Sequence, residues 1–236
     1  SHIPTTYLEG YEDLIKTINK KGWPKKPKVI FTSNAYNSND VFKAWTAAKT
    51  EKGTMFVIGQ HGGHYGMTPF STLEKHQIEI SDKWLSWGWS ENSEKKIIPV
   101  GNFKNHDRKV KFDPIGKALM VVTTIPRYSS HLNASPLSSQ WIDYFVDQQR
   151  FIKELPSKIK KSLFLRLYPH DYGWDQKDRW KEIISESQID LGRKNIRKLI
   201  KKSRIYISTY NATTYLESLY WNVPTIIFWN SGHWEL

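Results

Sequence analysis

Apolar and polar positions follow two rhythms along this chain. Tyr7, Leu8, Tyr11, Leu14, Ile15 and Ile18 recur at helical spacing, which predicts a helix over 4–20, closed by Gly22 and Pro24. Short apolar runs then alternate with helical stretches. Residues 29–32 and 55–58 predict two strands. Between them 40–49 predicts a helix whose Val41, Phe42, Trp45 and Ala48 face inward. Strands are also predicted within 81–88, 97–102, 118–124 and 163–167. A long helix over 138–155 carries Trp141, Tyr144, Phe145, Gln148 and Ile152 near one stripe. Residues 105–116 read as a surface connection and 195–202 as a basic helix. Repeated strand-loop-helix passes predict an α/β fold with a parallel sheet flanked by helices.

The stretch 203–229 is the most informative. Residues 205–208 read as a short buried strand, 209–211 as a polar turn and 212–220 as a helix with Leu216, Leu219 and Tyr220 on one face. Asn222 and Pro224 stop that helix, and 225–229 reads as a second buried strand. Strand, helix and strand this close together predict neighbouring parallel strands. Such sheets bind ligands at their carboxyl ends, where the unpartnered amides of a following helix favour an anion. Ser208, Asn211, Thr213 and Thr214 supply donors and hydroxyls at that spot. Glu217 lies about one turn on, in reach of a ribose hydroxyl. A helix cap and a solvated helix face explain the same residues equally well from pattern alone.

A second stretch, Gly59 to Gly66, packs four glycines into eight residues together with Gln60, His61 and His64. So much glycine allows close backbone approach to a ligand. No carboxylate stands at a ligand spacing from the two histidines, so no metal site is expected. Other predicted strand ends carry Asn34 with Asp40 beyond it, Arg127 with His131, and Arg166 with His170.

These segments resemble a known family. "STYNATTYLESLYWNVPTIIFW" looks like the donor-binding end of a GT-B glycosyltransferase, and is most similar to a bacterial family linked to surface-polysaccharide synthesis, the LIC12162-like transferases. "PKVIFTSNAYNSNDVFKAWTAAK" and "GQHGGHYG" resemble the same family, so the likeness runs from about Ile3 to Trp229. It implies a Rossmann-like sheet of the kind in the C-terminal half of a GT-B enzyme. It also implies a nucleotide-sugar donor, with CMP-linked ulosonic acids and CDP-linked polyols as the donors of related enzymes, and a glycan or glycolipid acceptor. On that likeness Asn34, Gln60, Gly62, Gly63, His64, Arg127, Arg166, His170, Ser208, Asn211, Thr213, Thr214 and Glu217 hold the donor. His61 or Asp40 acts at the sugar carbon as base or nucleophile. Related CMP-sugar transferases carry a His-Pro pair where this chain has Pro169-His170, which leaves the role of His170 open.

Composition narrows the picture further. The 236 residues include no cysteine, which excludes a disulfide framework, a thiolate metal site and a cysteine nucleophile. Eleven Trp and twelve Tyr suit either a core or a sugar cleft. The net charge of +12 asks for an anionic partner. It keeps a nucleic-acid-binding module as the alternative from another class, although the basic clusters are not interleaved with aromatics. No apolar run approaches the roughly 20 residues of a membrane span, and no secretory signal is seen. A cytoplasmic transferase with a peripheral contact at the inner membrane is expected, with no cofactor. Ser1-His2 resembles a tag remnant. The reading treats 1–236 as one nucleotide-sugar-binding domain, a fragment of a longer transferase whose acceptor half precedes it. A nucleotide-binding fragment without activity is the blander alternative.

Overall fold

The computed structural model describes residues 3–67, 71–102, 110–128, 136–211 and 213–233. Every strand pairing among them is parallel, as expected, but the strands divide between two sheets rather than forming one. The chain forms two compact units: residues 1–61 with 72–103, and residues 62–71 with 104–236.

The first unit holds β1 (Val29–Thr32), β2 (Met55–Gly59), β3 (Lys83–Ser86) and β4 (Ile97–Pro99) in that order across the sheet. Its helices are α1 (Tyr11–Lys20), α2 (Ala35–Ser38), α3 (Asp40–Thr50) and α4 (Thr72–Ile80). The helix predicted over 4–20 starts only at Tyr11. A 3-10 turn, Thr5–Tyr7, precedes it, and Gly10, a poor helix former, separates the two. Between β1 and α3 the chain makes the single turn α2. Its first amides, Asn34 and Ala35, donate to Thr32 Oγ1 at 3.3 and 2.9 Å. Asn39 caps α3 by accepting from the Phe42 amide at 3.0 Å. α3 turns Ala44, Trp45 and Thr46 inward and leaves Ala48 exposed. α4 has no counterpart in the sequence reading because a polar residue fills its buried position. Gln77 is fully buried, bonding the Tyr36 hydroxyl at 2.5 Å and accepting from Trp84 Nε1 at 3.0 Å.

The second unit holds β5 (Lys117–Val121), β6 (Leu163–Arg166), β7 (Ile189–Asp190), β8 (Ser203–Ser208) and β9 (Thr225–Ile227), ordered β7-β6-β5-β8-β9. Its helices are α5 (Trp141–Glu154), α6 (Ser157–Ser162), α7 (Gln176–Lys181), α8 (Ile196–Ile200) and α9 (Thr213–Tyr220). β5 is buried on both faces. Ala118 and Met120 pack with α5, and Leu119 and Val121 pack with α8 and α9. Much of the tryptophan goes into this core: Trp141 stacks on Trp174 at 4.4 Å and on Phe145 at 5.3 Å, and Trp180 meets Phe145 edge-on at 4.8 Å.

β8 and β9 are parallel neighbours, as their spacing predicts. Two finer expectations fail. β9 is an edge strand, with Ile226 and Ile227 41% and 39% exposed, rather than buried. α9 buries Tyr215 and Ser218 and packs Leu216 against the core, but leaves Leu219 and Tyr220 about half exposed, so only part of the predicted apolar stripe faces inward. Serine at the contact lets the helix lie close on β8, which a search for apolar periodicity passes over. The end of α9 is as predicted. Asn222 takes a left-handed φ of 54°, its amide bonds Leu219 O at 2.9 Å, and the Val223 amide bonds Ser218 O at 3.0 Å.

Candidate functional site

Strand order in the second sheet reverses between β5 and β8, and a crevice outside the carboxyl ends of such a pair is where open α/β sheets take ligands. A buried hydroxyl network seals its floor. Thr209 donates to Val121 O at 2.9 Å, so it must accept from the Tyr144 hydroxyl at 2.7 Å. Tyr144 in turn accepts from the Thr123 amide at 3.0 Å. Burial pushes the Tyr144 hydroxyl well up, so it stays a neutral donor. The sequence reading passed over both Thr209 and Tyr144 as site residues. A hydroxyl just past a strand end was the available signal.

α9 opens directly beyond this floor. Asn211 is buried, with Oδ1 3.5 Å from the Tyr215 hydroxyl. Thr214 Oγ1 lies 3.2 Å from the Tyr210 hydroxyl. Thr213 is half-buried and its hydroxyl makes no hydrogen bond among the described residues. Onto this turn folds the glycine-rich segment. Gly62 is so close that an added Cβ would stand 3.3 Å from His64 Nδ1 and 3.7 Å from Thr213 Oγ1. Gly63 is buried beside it, His64 stacks on Tyr65 at 4.3 Å, and the Tyr215 hydroxyl contacts Met67 Sδ at 2.8 Å. Two motifs about 150 positions apart in sequence thus meet. Glu217 is half-buried. Burial above all raises the Tyr206 and Tyr210 hydroxyls, and the Glu217 carboxylate adds to it, so its charge lies near both.

Other expected donor-binding residues of this unit are committed elsewhere. Ser208 is fully buried and donates to Tyr210 O at 3.1 Å, inside its own turn. Arg166 pairs with Asp190 at 3.0 Å, donates to Gly192 O at 3.1 Å, and also bonds Lys194 O. Three of its five N–H donors are thus used within the fold. His170 is exposed among Tyr168 and Tyr172, with ring centroids 6.1 and 5.6 Å away. Asp171, unread in the sequence, builds that loop. It accepts from the amides of Gly173, Asp175 and Gln176 at 3.1, 2.9 and 2.7 Å. Burial pushes its carboxyl up, but those amides outweigh burial and hold it below the usual range. Arg127 is exposed, donates to Gly173 O at 3.2 Å and lies over the Trp174 ring at 5.5 Å. His131 lies outside the described residues.

Asn34, Asp40, Gln60 and His61 belong to the first unit, so the predicted residues do not share one sheet edge. Gln60 is buried as a strut: Oε1 accepts from the Trp87 amide at 2.8 Å and from Trp89 Nε1 at 3.0 Å. Asn34 begins α2 without capping it through its side chain. His61 is exposed at the end of the segment that follows β2. Asp40 Oδ1 accepts from the Tyr7 hydroxyl at 2.6 Å and from Lys43 Nζ at 3.0 Å. The Tyr7 bond first, then Lys43, holds the Asp40 carboxyl below its ordinary value, which makes it a weaker base. Among the described residues no three His, Asp or Glu side chains gather as metal ligands would.

Burial and then the Asp40 bond push Tyr7 up to about 12. A tyrosine near its reference value of about 10 when unfolded therefore adds stability that is full below pH ~10 and lost as pH rises toward the folded value. The melting-temperature advantage of wild type over Tyr7→Phe is expected to be constant below that window and to narrow within it. A constant difference across the alkaline range would show that neither burial nor the Asp40 bond raises the Tyr7 hydroxyl.

The parallel sheets, helix order and strand reversal define a Rossmann-like α/β protein. The chain belongs to the LIC12162 family of transferases, whose family model matches residues 1–236. It is therefore an enzyme of the transferase class. No curated protein matches it. No helix among the described residues is long and apolar enough to cross a membrane.

Proposed function

We propose that this transferase moves a sugar from a nucleotide-activated donor, and that the donor's phosphate is held at the start of α9. One observation carries the reading: the loop with Gly62 and His64 lies against Thr213 at the opening of a helix that follows a buried strand. Backbone amides without intrahelical acceptors, a free threonine hydroxyl and a loop without side-chain bulk suit a phosphate better than an apolar ligand. Thr214 and Asn211 complete the turn, and Arg127 is the exposed cation of the neighbouring strand end. Glu217 and the tyrosine hydroxyls beside it suit a ribose. This chemistry needs no metal for phosphate binding. Resemblance adds a CMP-linked ulosonic acid as the first donor to try and bacterial surface polysaccharide as the product, with a glycan or glycolipid acceptor. Arg166 and Ser208 are left out of the proposed set because Asp190, Gly192 O and Lys194 O hold the one and Tyr210 O, within a fully buried turn, the other.

The test is calorimetric titration with CMP, CDP, UDP, GDP and ADP, with and without EDTA. Thr213→Val keeps the shape and removes one hydroxyl. Losing a hydrogen bond to a charged group costs about 1.5–3 kcal/mol, so affinity for the best nucleotide should fall roughly 10- to 150-fold. The melting temperature without nucleotide should not move. Wild-type affinity in Thr213→Val would remove the phosphate from this turn. Binding abolished by EDTA would end the metal-free reading.

A further inference from the structure

The cationic residues of the second unit gather away from the α9 turn. From Asn195 to Arg204 there are five Lys or Arg and no Asp or Glu, and from Leu155 to Leu165 three Lys and no acid. Folding joins the two segments at the amino ends of β5, β6 and β8. Arg204 Nη2 bonds Ser162 Oγ at 3.2 Å, and the Lys117 amide bonds Lys202 O at 3.2 Å. Lys117 and Lys194 sit over one phenylalanine ring, Phe164, at 4.8 and 5.1 Å. Among the described residues Lys117, Lys158, Lys161, Lys198 and Lys202 have no carboxylate within ion-pair distance. Like charges held side by side repel one another and lower stability. Beyond contacts such as Lys117 on Phe164 and Arg204 on Ser162, a fold that collects them here gains little from them internally.

A second, independent feature stands at the same edge. Ile115 is 91% exposed, the most exposed large apolar side chain among the described residues. It is presented by a built turn rather than a loose tip. Asp113 Oδ1 accepts from the Ile115 amide at 3.1 Å, Asp113 O accepts from the Gly116 amide at 3.0 Å, and the Asp113 amide bonds Ser203 O at 3.2 Å. Gly116 lies against the carbonyl of Lys202, where a Cβ would collide, so the turn is pressed onto the cationic edge. An aliphatic tip ringed by lysines matches a lipid surface, with apolar acyl boundary below and anionic headgroups around it. Nucleic acid would call for aromatic platforms among the cations, and Phe164 is buried beneath its lysines.

We infer that the amino edge of the second sheet is a docking face for an anionic lipid membrane, with Ile115 as its apolar insertion point and the lysines of α6 and α8 on the headgroups. The α9 turn lies at the opposite, carboxyl edge of the same sheet and stays clear of the lipid. This inference does not depend on which donor the enzyme uses.

The test is flotation of the purified chain with vesicles of phosphatidylcholine, with and without phosphatidylglycerol, at low and at physiological salt. Binding is expected only with phosphatidylglycerol, and weaker at the higher salt. Neutralising a lysine near such a surface costs roughly fivefold in partitioning. Lys158→Gln, Lys161→Gln, Lys198→Gln and Lys202→Gln combined should therefore reduce binding by two orders of magnitude or more. Ile115→Ser should weaken it without shifting the melting temperature, because the side chain is almost fully exposed. No flotation of the wild type at low salt would overturn the inference. So would equal flotation of wild type and the fourfold variant, or displacement by single-stranded RNA together with full binding by Ile115→Ser, which would mark the face as a nucleic-acid surface.

Discussion

Replacing Asp190 with alanine is expected to destabilise the second unit by about 3–5 kcal/mol, the cost of stranding one charge of a buried pair. Asp190 is 4% exposed and its partner Arg166 only 16%, so the guanidinium left behind has little water to turn to. The effect extends beyond the pair. Arg166 also holds Gly192 O and Lys194 O, and so pins the turn after β7 against the end of β6. That turn is already tight: Gly192 has a φ of +76°, and a Cβ there would stand 2.7 Å from Pro169 N and 2.8 Å from Leu167 O. At about 2–4 °C per kcal/mol for a chain of this size, the melting temperature should drop by roughly 6–20 °C. Thermal and urea denaturation of Asp190→Ala beside wild type would measure it. A loss under about 0.5 kcal/mol, the range of a surface substitution, would mean the pair is solvated and would return Arg166 to the ligand-binding candidates.

His61→Ala is expected to reduce transfer by about 10²- to 10⁴-fold, the usual contribution of a general base, with the melting temperature unchanged. The two halves of that expectation rest on different observations. His61 is exposed and makes no hydrogen bond, ion pair or ring contact among the described residues, so its removal leaves no orphaned partner. It also stands one residue before the segment that lies on Thr213, which makes it the free imidazole adjacent to the proposed phosphate site in sequence. Asp40 is the weaker candidate, because Tyr7 and Lys43 hold it ionised and occupy one oxygen. Initial rates in the intact enzyme, with a sugar donor built on the tightest-binding nucleotide, would decide between them. Full activity in His61→Ala, or lost activity that tracks lost stability, would refute a catalytic role for the imidazole.

Several site residues named from sequence turn out to serve the fold, and the reason is the same each time. Arg166, Gln60 and Ser208 stand at strand ends, where both ligands and structural partners are found. A residue type at a strand end says that a polar atom is available; it does not say whether a neighbour far along the chain takes it. Arg166 meets Asp190 across 24 positions, and Gln60 meets Trp87 and Trp89 across nearly 30. Asp171 was missed for the converse reason: a lone acid in a polar loop carries no pattern, yet four nearby amides turn on it.

The periodicity of short apolar runs and capped helices determined every strand but β7, the helices α3, α5, α8 and α9, the parallel α/β class and the pairing of β8 with β9, because each follows from local burial and backbone chemistry. Asn222 could be read as a helix stop because left-handed φ is tolerated by asparagine in any context. Only the tertiary structure decided that the strands form two sheets, that β9 is an edge, and that α9 rests on Tyr215 and Ser218. It alone decided that the glycine loop comes down on Thr213 while the unpaired lysines collect at the opposite edge of the sheet. Those outcomes depend on which distant segments meet, and hydrogen bonds or ion pairs across 24 to 150 positions leave no trace in local spacing.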